Sequence, residues 1–361
     1  MVPVTLSGKV TLHDVAARAG VSVSTASRSL SGAVTISKVT QARVLEAAEA
    51  LGYRYNPLLG EVMRSARRRV SHHYLGTLAY VTPYDDVEEW RATPTLCRHW
   101  SAARDQAARF GFGMSEFALT SHGMTARRLG EILTARGISG VLLAAFPKEP
   151  FELVLPWENF ATVPVGHMVQ KPALDCVVSD HTQAVLLAGR VLAARGYRRL
   201  GLAIEAYQNL ITNHGWVNGH AALPIEFGTM AAIPPLLPEK ITAEVFTEWV
   251  RRNRVDCVLT LSTFRNEPNR MREWLAGAGM NCPRDIGLIS LDVTSATSSW
   301  AGIDQNSDEI GKAAVDLVVS KIRAGERGVP RVRRSLLVHC QWRDGDSVRD
   351  VTNGGRRSIR R

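Results

Sequence analysis

The chain has 361 residues, 45% hydrophobic and 22% charged, which is enough apolar material for two or three packed domains and argues against a disordered chain. Its net charge of +10 is uneven: residues 1–70 carry +6, residues 343–361 carry +3 and the long middle only +1, so attraction to a polyanion is expected at the ends of a neutral body. Cys97, Cys176, Cys257, Cys282 and Cys340 are odd in number, far apart and without metal-ligand spacing, and neither a signal-peptide core nor a run of membrane-spanning length is present, which argues against a disulfide scaffold, a zinc module and a membrane protein.

The predicted elements begin with three short helices. Thr11 is a good N-cap, Asp14 lies in the first turn, and Leu12, Val15, Ala16 and Ala19 recur at helical spacing before Gly20. Val21 plugs the turn. Ser22 caps a second helix, Val23 to Leu30, expected to bury Val23, Ala26 and Leu30 and to present Ser24, Thr25, Ser27 and Arg28. Small polar side chains around one long cation let a helix lie deep in the DNA major groove and reach base edges and phosphates. Ser37 caps a third helix, Lys38 to Leu51, with Val44, Leu45, Ala48 and Leu51 inward and Gly52 at its end. Asn56 and Pro57 suit the start of a short helix over Leu58 to Arg64. The run Arg64 to Arg69 reads equally as a phosphate contact and as a solvated linker.

This stretch resembles the headpiece of the LacI/GalR family of bacterial transcription regulators. The likeness rests on T-L-H-D-V-A (Thr11 to Ala16), A-G-V-S (Ala19 to Ser22), T-A-S-R (Thr25 to Arg28), T-x-x-R-V (Thr40 to Val44) and L-G-Y-R (Leu51 to Arg54). The resemblance implies that Val23, Ser24 and Arg28 read bases. It also implies phosphate contacts from Thr11, Leu12, Ser22, Thr25, Ser27, Ser31, Ser37, Thr40 and Tyr53. Ser31 stands where the family usually has Asn and reaches less far. In the family, paired hinge helices wedge a leucine into the minor groove. Here Leu59, Val62 and Met63 belong to that hinge, with Val62 at the wedge position and Met63 beside it.

From Tyr74 strands and helices alternate. Predicted strands are Gly76 to Thr82, Met114 to Leu119, Gly140 to Phe146 and Ala161 to Met168, with helices over Trp100 to Phe110 and Ala126 to Arg136. A second round has strands Arg198 to Ile204, Asp256 to Leu261, Asp285 to Asp292 and Ser335 to Trp342. Its helices are Thr182 to Arg195, Trp216 to Leu223, Ala243 to Asn253, Arg270 to Ala278 and Asp308 to Ala324. The expected fold is a small all-α helix-turn-helix headpiece plus an α/β two-lobed domain, its parallel sheets covered by helices on both faces. G-Y-R-R-L-G at Gly196, C-P-R-D-I-G-L-I-S-L-D at Cys282 and I-D-Q-N-S-D-E-I-G at Ile303 make the lobes similar to the periplasmic-binding-protein-like domain of the same family. The domains are then residues 1–55 (headpiece), 56–71 (hinge and linker), 72–343 (two-lobed body) and 344–361 (basic disordered tail). The resemblance places lobe crossovers near Ser179, Asn306 and Gly328.

Ligands in open α/β folds lie beyond the C-terminal ends of parallel strands, which points to Thr82 to Tyr84, Phe146, His167, Trp216 and Asp292. Asp292 matches the aspartate that bonds sugar hydroxyls in the family. Val293 replaces its acidic neighbour, Trp216 stands near the expected arginine, and Ser262 to Asn266 replaces an Asn-Asp pair. Trp216 is either a stacking face for a sugar ring or core. No phosphate loop, H-E-x-x-H or G-x-S-x-G is present, and Asp180 and His181 are mere neighbours, so no catalytic residue, enzyme activity, cofactor or metal is expected. An exported sugar-binding protein is the rival class, and the headpiece argues against it. The expectation is a cytoplasmic, nucleoid-associated homodimeric repressor that binds a pseudo-palindromic double-stranded DNA operator and is modulated by a small effector of carbohydrate type between its lobes. The alternative is a regulator without an effector, or an activator.

Overall fold

The computed structural model describes residues 11–30, 36–53, 74–84, 90–91, 93–119, 124–145, 151–167, 169–261, 269–294 and 299–352. Ser31, Phe146, the run 64–69, the expected hinge helix with Leu59, Val62 and Met63, and residues 353–361 lie outside them. The chain forms two compact units, Met1–His73 and Tyr74–Arg361.

The first unit holds α1 (Leu12–Ala19), α2 (Val23–Leu30) and α3 (Lys38–Ala50). A reciprocal box starts α1: the Thr11 N–H donates to the Asp14 carboxylate at 2.8 Å, and the Asp14 N–H donates to the Thr11 hydroxyl at 3.4 Å. Gly20 ends it with φ 59°, a conformation that costs glycine nothing. The core is Val15, Ala16, Ala19, Ala26, Val44, Ala47 and Ala48, with Leu12, Val21, Leu30, Leu51 and Tyr53 at its margin. Two inward assignments change. Leu45 is 51% exposed and Ala47 takes its place, because 44, 47, 48 and 51 share one helical stripe. Val23 is 42% exposed, and the inner stripe of α2 runs through Ala26 and Ser29, one turn later.

The second unit has two lobes. Lobe 1 is built on β1 (Gly76–Thr82), α4 (Pro94–Arg109), β2 (Phe112–Ala118), α5 (Ala126–Ala135), β3 (Gly140–Leu143) and β5 (Ala161–Pro164). Its parallel sheet runs β2-β1-β3-β5. A parallel bridge from Val165 to Val177 extends it to β7 (Cys176–Ser179), which pairs with β12 (Ser335–Val338). The short strands β4 (Phe151–Glu152) and β6 (Val169–Lys171) pair beside it. Alternate residues of β1 feed opposite cores, as a period of two requires. Leu78 and Tyr80 meet Ala103, Ala107, Ile310 and Val318, whereas Ala79 and Val81 meet Leu129, Leu133 and Phe160. α4 starts six residues before the predicted Trp100, because Pro94 occupies its first turn, where a missing N–H costs no helical bond.

Lobe 2 comprises α6 (His181–Ala194), β8 (Leu200–Ala203), α7 (Ala206–Ile211), α8 (Gly215–Glu226), α9 (Ala243–Asn253), β9 (Cys257–Thr260), α10 (Arg270–Gly277), β10 (Gly287–Ser290) and β11 (Gly302–Asp304). The order is β13-β11-β10-β9-β8, with β13 (Gln341–Arg343) antiparallel to β11. α11 (Ser307–Ala324) returns to the lobe 1 core through Ile310, Ala314, Val315 and Val318.

The chain passes between the sheets at 180, at 305–306 and at 339–340. The third passage was expected near Gly328. Gly328 stays in lobe 1, donating its N–H to the Phe160 carbonyl at 3.0 Å, and the chain completes β12 before leaving. The Asn306 side-chain amide donates to the His339 carbonyl at 2.8 Å and ties two passages together.

The tail expected to be disordered from residue 344 is packed as far as 352. Ser347 is fully buried. Its hydroxyl accepts the Ala301 N–H and its carbonyl the Leu288 N–H, both at 2.9 Å, while Val348 enters the lobe 2 core.

Candidate functional site

In the headpiece, residues expected at DNA gather at the N-termini of the three helices, where N–H groups and the helix dipole favour anions. Thr11 caps α1. The Ser22 hydroxyl accepts the Thr25 N–H at 3.1 Å and shares hydrogen bonds with the hydroxyls of Ser24 (2.9 Å) and Thr25 (2.8 Å). Ser37 accepts the Thr40 N–H at 3.3 Å, and their hydroxyls are 2.9 Å apart. Val23, Ser24 and Arg28 are exposed, as are Thr11, Ser22 and Ser37. Leu12, Thr25, Ser27, Thr40 and Tyr53 are half-buried, and Leu12 and Tyr53 pack on the headpiece core. The face therefore offers short hydroxyls, one apolar side chain and one guanidinium.

In the body a cavity of about 210 Å³ lies between the lobes. Lobe 1 lines it with Thr95, Leu96 and His99 of α4 and with Ser179 at the end of β7. Lobe 2 contributes Gln208, Trp216 and Gln305, and His181 stands at the crossover. Trp216 is 0% exposed, its ring centroid lies 4.4 Å from that of His181, and its Nε1 has no hydrogen-bond partner among the described residues. His99 is buried, and neither ring nitrogen finds a partner there. Burial pushes the His99 imidazole down to about 4 and that of His181 down to about 3, so both are neutral at pH 7.

Other expected effector residues are placed differently. Asp292 is not in the lining: Thr95 donates its hydroxyl to Oδ2 at 2.6 Å across the lobes, Oδ1 has no described partner, and burial raises the carboxyl to about 6. Tyr84 is buried against Trp90 and Leu96 and is not among the lining residues. His167 is half-buried next to the lining residue Gly166, and burial, then Arg333, lowers its imidazole. Of the expected effector residues within the described chain, Trp216 alone is in the lining.

The strand-end rule, applied to every strand, would have found Ser179, Leu261 and Gln305. Thr95 and His99 lie inside a helix and carry no such signal. Further contacts cross the cleft: Arg98 bonds Asp304 at 3.2 Å as well as Asp308 at 2.8 Å, and the Ser179 hydroxyl donates to Gln305 Oε1 at 3.0 Å. A second recess, of about 480 Å³, lies outside the cleft and is lined by Arg327, Arg331, Arg334 and Lys321. Lys321 and Arg334 both bond the fully buried Asp175 at 2.7 Å. Among the described residues no His, Cys, Asp and Glu cluster has the makings of a metal site, and no helix is long and apolar enough to cross a membrane.

Comparison with known proteins follows the same division. Residues 11–56 match the family described as "Bacterial regulatory proteins, lacI family". Residues 82–237 match "Periplasmic binding proteins and sugar binding domain of LacI family", and residues 270–348 match "Periplasmic binding protein-like domain". The maltose regulon regulatory protein MalI of Escherichia coli K12 is 29% identical over 314 residues, covering 85% of this chain and 79% of that protein. A complex of the transcriptional regulator CelR with cellobiose shares the fold at a TM-score of 0.57 and 21% identity, covering 94% of this chain and 100% of that one. The lac repressor dimer bound to operator and the anti-inducer ONPF does so at 0.55 and 16%, covering 94% and 99%. The chain belongs to the lacI family of bacterial regulatory proteins and is a DNA-binding transcriptional regulator with a helix-turn-helix headpiece and a periplasmic-binding-protein-like body.

Proposed function

We propose that the protein is a cytoplasmic repressor that binds a pseudo-palindromic operator as a homodimer, and that a small effector held between its lobes changes operator affinity. The reading gives the protein no catalytic role. Val23, Ser24 and Arg28 read bases. Thr11, Leu12, Ser22, Thr25, Ser27, Ser31, Ser37, Thr40 and Tyr53 hold phosphates, and Leu59, Val62 and Met63 enter the minor groove. The observation that carries the reading is the exposed face of α2, where Ser24 and Arg28 stand beside the hydroxyl cluster of Ser22. The cavity between two lobes joined by three chain passages supports the effector half, since a ligand that binds one lobe arrangement better shifts the population toward it. The operator-bound dimer of the lac repressor and the cellobiose complex of CelR lend support by relationship.

One observation favours a second reading, a regulator with no small effector: Asp292 is bonded to Thr95 across the lobes and is not among the residues that line the cavity. Selection of bound sequences from a random DNA pool by the full-length protein, at stated salt, tests the DNA half. Enrichment of a two-fold symmetric site is expected, and no enrichment over nonspecific binding overturns the reading. Repeating the measurement on the selected site with candidate sugars separates the two readings.

A further inference from the structure

The body is neutral only as an average. Within residues 321–334, Lys321, Arg323, Arg327, Arg331, Arg333 and Arg334 stand against Glu326 alone, a balance of +5. Residues 71–342 as a whole carry +1, so the rest of that stretch carries −4.

The fold lays this segment across one end of lobe 1. Near the close of α11, the Cδ1 of Ile322 lies 2.7 Å from the position of a Cβ on Gly140, the first residue of β3. The Gly328 N–H donates to the carbonyl of Phe160, the residue before β5. The Arg334 N–H donates to Asp175 Oδ1 at 2.8 Å, just before β7, and β12 starts at the next residue, Ser335. The segment thus crosses the N-terminal ends of four parallel strands. The chain enters the body at the same end, on β1. There the Leu75 N–H donates to the Gly111 carbonyl at 2.8 Å, and the Arg323 guanidinium lies 5.2 Å from the ring centre of Phe110. Four strand spacings of ~4.8 Å separate β1 from β12, so the arginines span roughly 20 Å.

Arg323, Arg327, Arg331 and Arg334 are exposed. Lys321, Arg327, Arg331 and Arg334 line the recess of about 480 Å³. Its floor is built. The fully buried Asp175 takes the fork of Arg334 on Oδ2 at 3.2 and 2.7 Å and the Lys321 ammonium at 2.7 Å. Glu326 also bonds both cations, at 3.3 Å from Lys321 and 3.2 Å from Arg334. Arg327 donates to the Asn159 carbonyl at 3.3 Å, a neutral partner. Guanidinium groups held in this way match phosphate oxygens in shape and charge.

The polyanion nearest to hand is DNA. The headpiece is tethered to this end of the body by residues 54–73, and twenty residues reach at most roughly 70 Å. DNA held by the headpiece is therefore kept at high local concentration around the strip. With one phosphate per ~3.4 Å of strand, 20 Å of arginines faces about six of them.

We propose that this arginine strip on lobe 1 is a second DNA-contacting surface, which takes phosphates of the DNA that the headpiece holds and reads no sequence. The inference goes beyond the headpiece and hinge contacts of the proposed function. It rests on DNA binding by the headpiece and is independent of any effector.

The test is anisotropy titration of the full-length protein on one labelled duplex, about five helical turns long with the selected operator at its centre, between 50 and 200 mM salt. Arg327→Ala with Arg331→Ala removes two phosphate contacts. The slope of log affinity against log salt flattens by about 2, so the variant loses about tenfold less affinity than the native protein across that range. Arg331→Ala alone flattens it by about 1, which serves should the double variant fold poorly. Lysine at both positions keeps most of the slope. Arg190→Ala with Arg252→Ala makes the same change of net charge at exposed positions of lobe 2 and leaves the slope in place. A slope unmoved by the first pair overturns the proposal, and so does equal flattening by the control pair. The same flattening is expected on a random duplex of equal length, because phosphate contacts carry no sequence information. The strip can thus be judged even where selection yields no operator, and operator binding with an unmoved slope removes this inference alone.

Discussion

The polar groups on the exposed face of the headpiece and those at the cleft of the body are kept in opposite conditions. On the headpiece, Ser22, Ser24, Thr25, Ser37 and Thr40 satisfy one another and their own helix N-termini at the surface. Exchanging those bonds for water or phosphate costs little, so such a face acts through many weak, solvated contacts and long-range charge. At the cleft, both ring nitrogens of His99 and the Trp216 Nε1 are buried without a hydrogen-bond partner among the described residues. An exposed polar group exchanges partners with water at little cost, whereas a buried one discriminates by what is left unpaired.

Five measurements break or sharpen that contrast. The largest effect is expected from Gly302→Ala. The new Cβ would lie 2.0 Å from the Ser290 carbonyl oxygen at a residue with φ +158°, so the body should lose about 4 kcal/mol or more while the headpiece transition is unchanged. Denaturant unfolding checks this, and a loss below about 1 kcal/mol contradicts the close pairing of β10 and β11. Lys321→Met comes next. It leaves the fully buried Asp175 with Arg334 alone and should cost the body about 3 kcal/mol. Arg28→Ala should weaken binding to the selected operator by about 1–3 kcal/mol and binding to random DNA by less. Equal losses on both would remove its base-reading role.

Ser22→Ala should cost the headpiece about 1 kcal/mol through its lost cap, and leave the unfolding of the body where it was. The smallest effect concerns pH. The Asp292 carboxyl is raised to about 6, so the folded state holds its proton more tightly than the unfolded one. Its contribution is complete below about pH 3.9, the unfolded value, and fades as pH rises through 6. Asp292→Asn should therefore gain in Tm relative to the native protein between pH 4 and 7, and a constant difference would show a carboxyl of ordinary acidity.

Sequence reading succeeded where causes are local. N-caps at Thr11 and Ser37 and the glycine stop at Gly20 are decided within four residues, and they form as read. Val23 and Leu45 were misplaced because an alanine-rich stripe leaves the inward direction ambiguous by one residue. Strands buried on both faces announce themselves as apolar runs, whereas α7 and β11 have six and three residues and carry too little pattern. The cleft was the least legible. Its lining comes from residues 95 to 310, and nothing in the neighbourhood of His99 distinguishes it from a core histidine. The polar stretch after β13 looked like a tail because its order depends on two backbone partners, Leu288 and Ala301, remote in sequence.

The three chain passages also govern when the molecule comes into being. Lobe 1 lacks its last strand until β12 has been made, and lobe 2 remains open until Val348 is in place, whereas the headpiece is complete by Tyr53. At about 5–20 residues per second, translation separates those events by roughly a quarter of a minute to a minute. Throughout that interval a finished DNA-reading head is attached to a nascent body whose unpaired strand edges have no partner yet. The hazard to this protein at birth is thus self-association of the growing chain, and its window closes once Val348 has been made and packed.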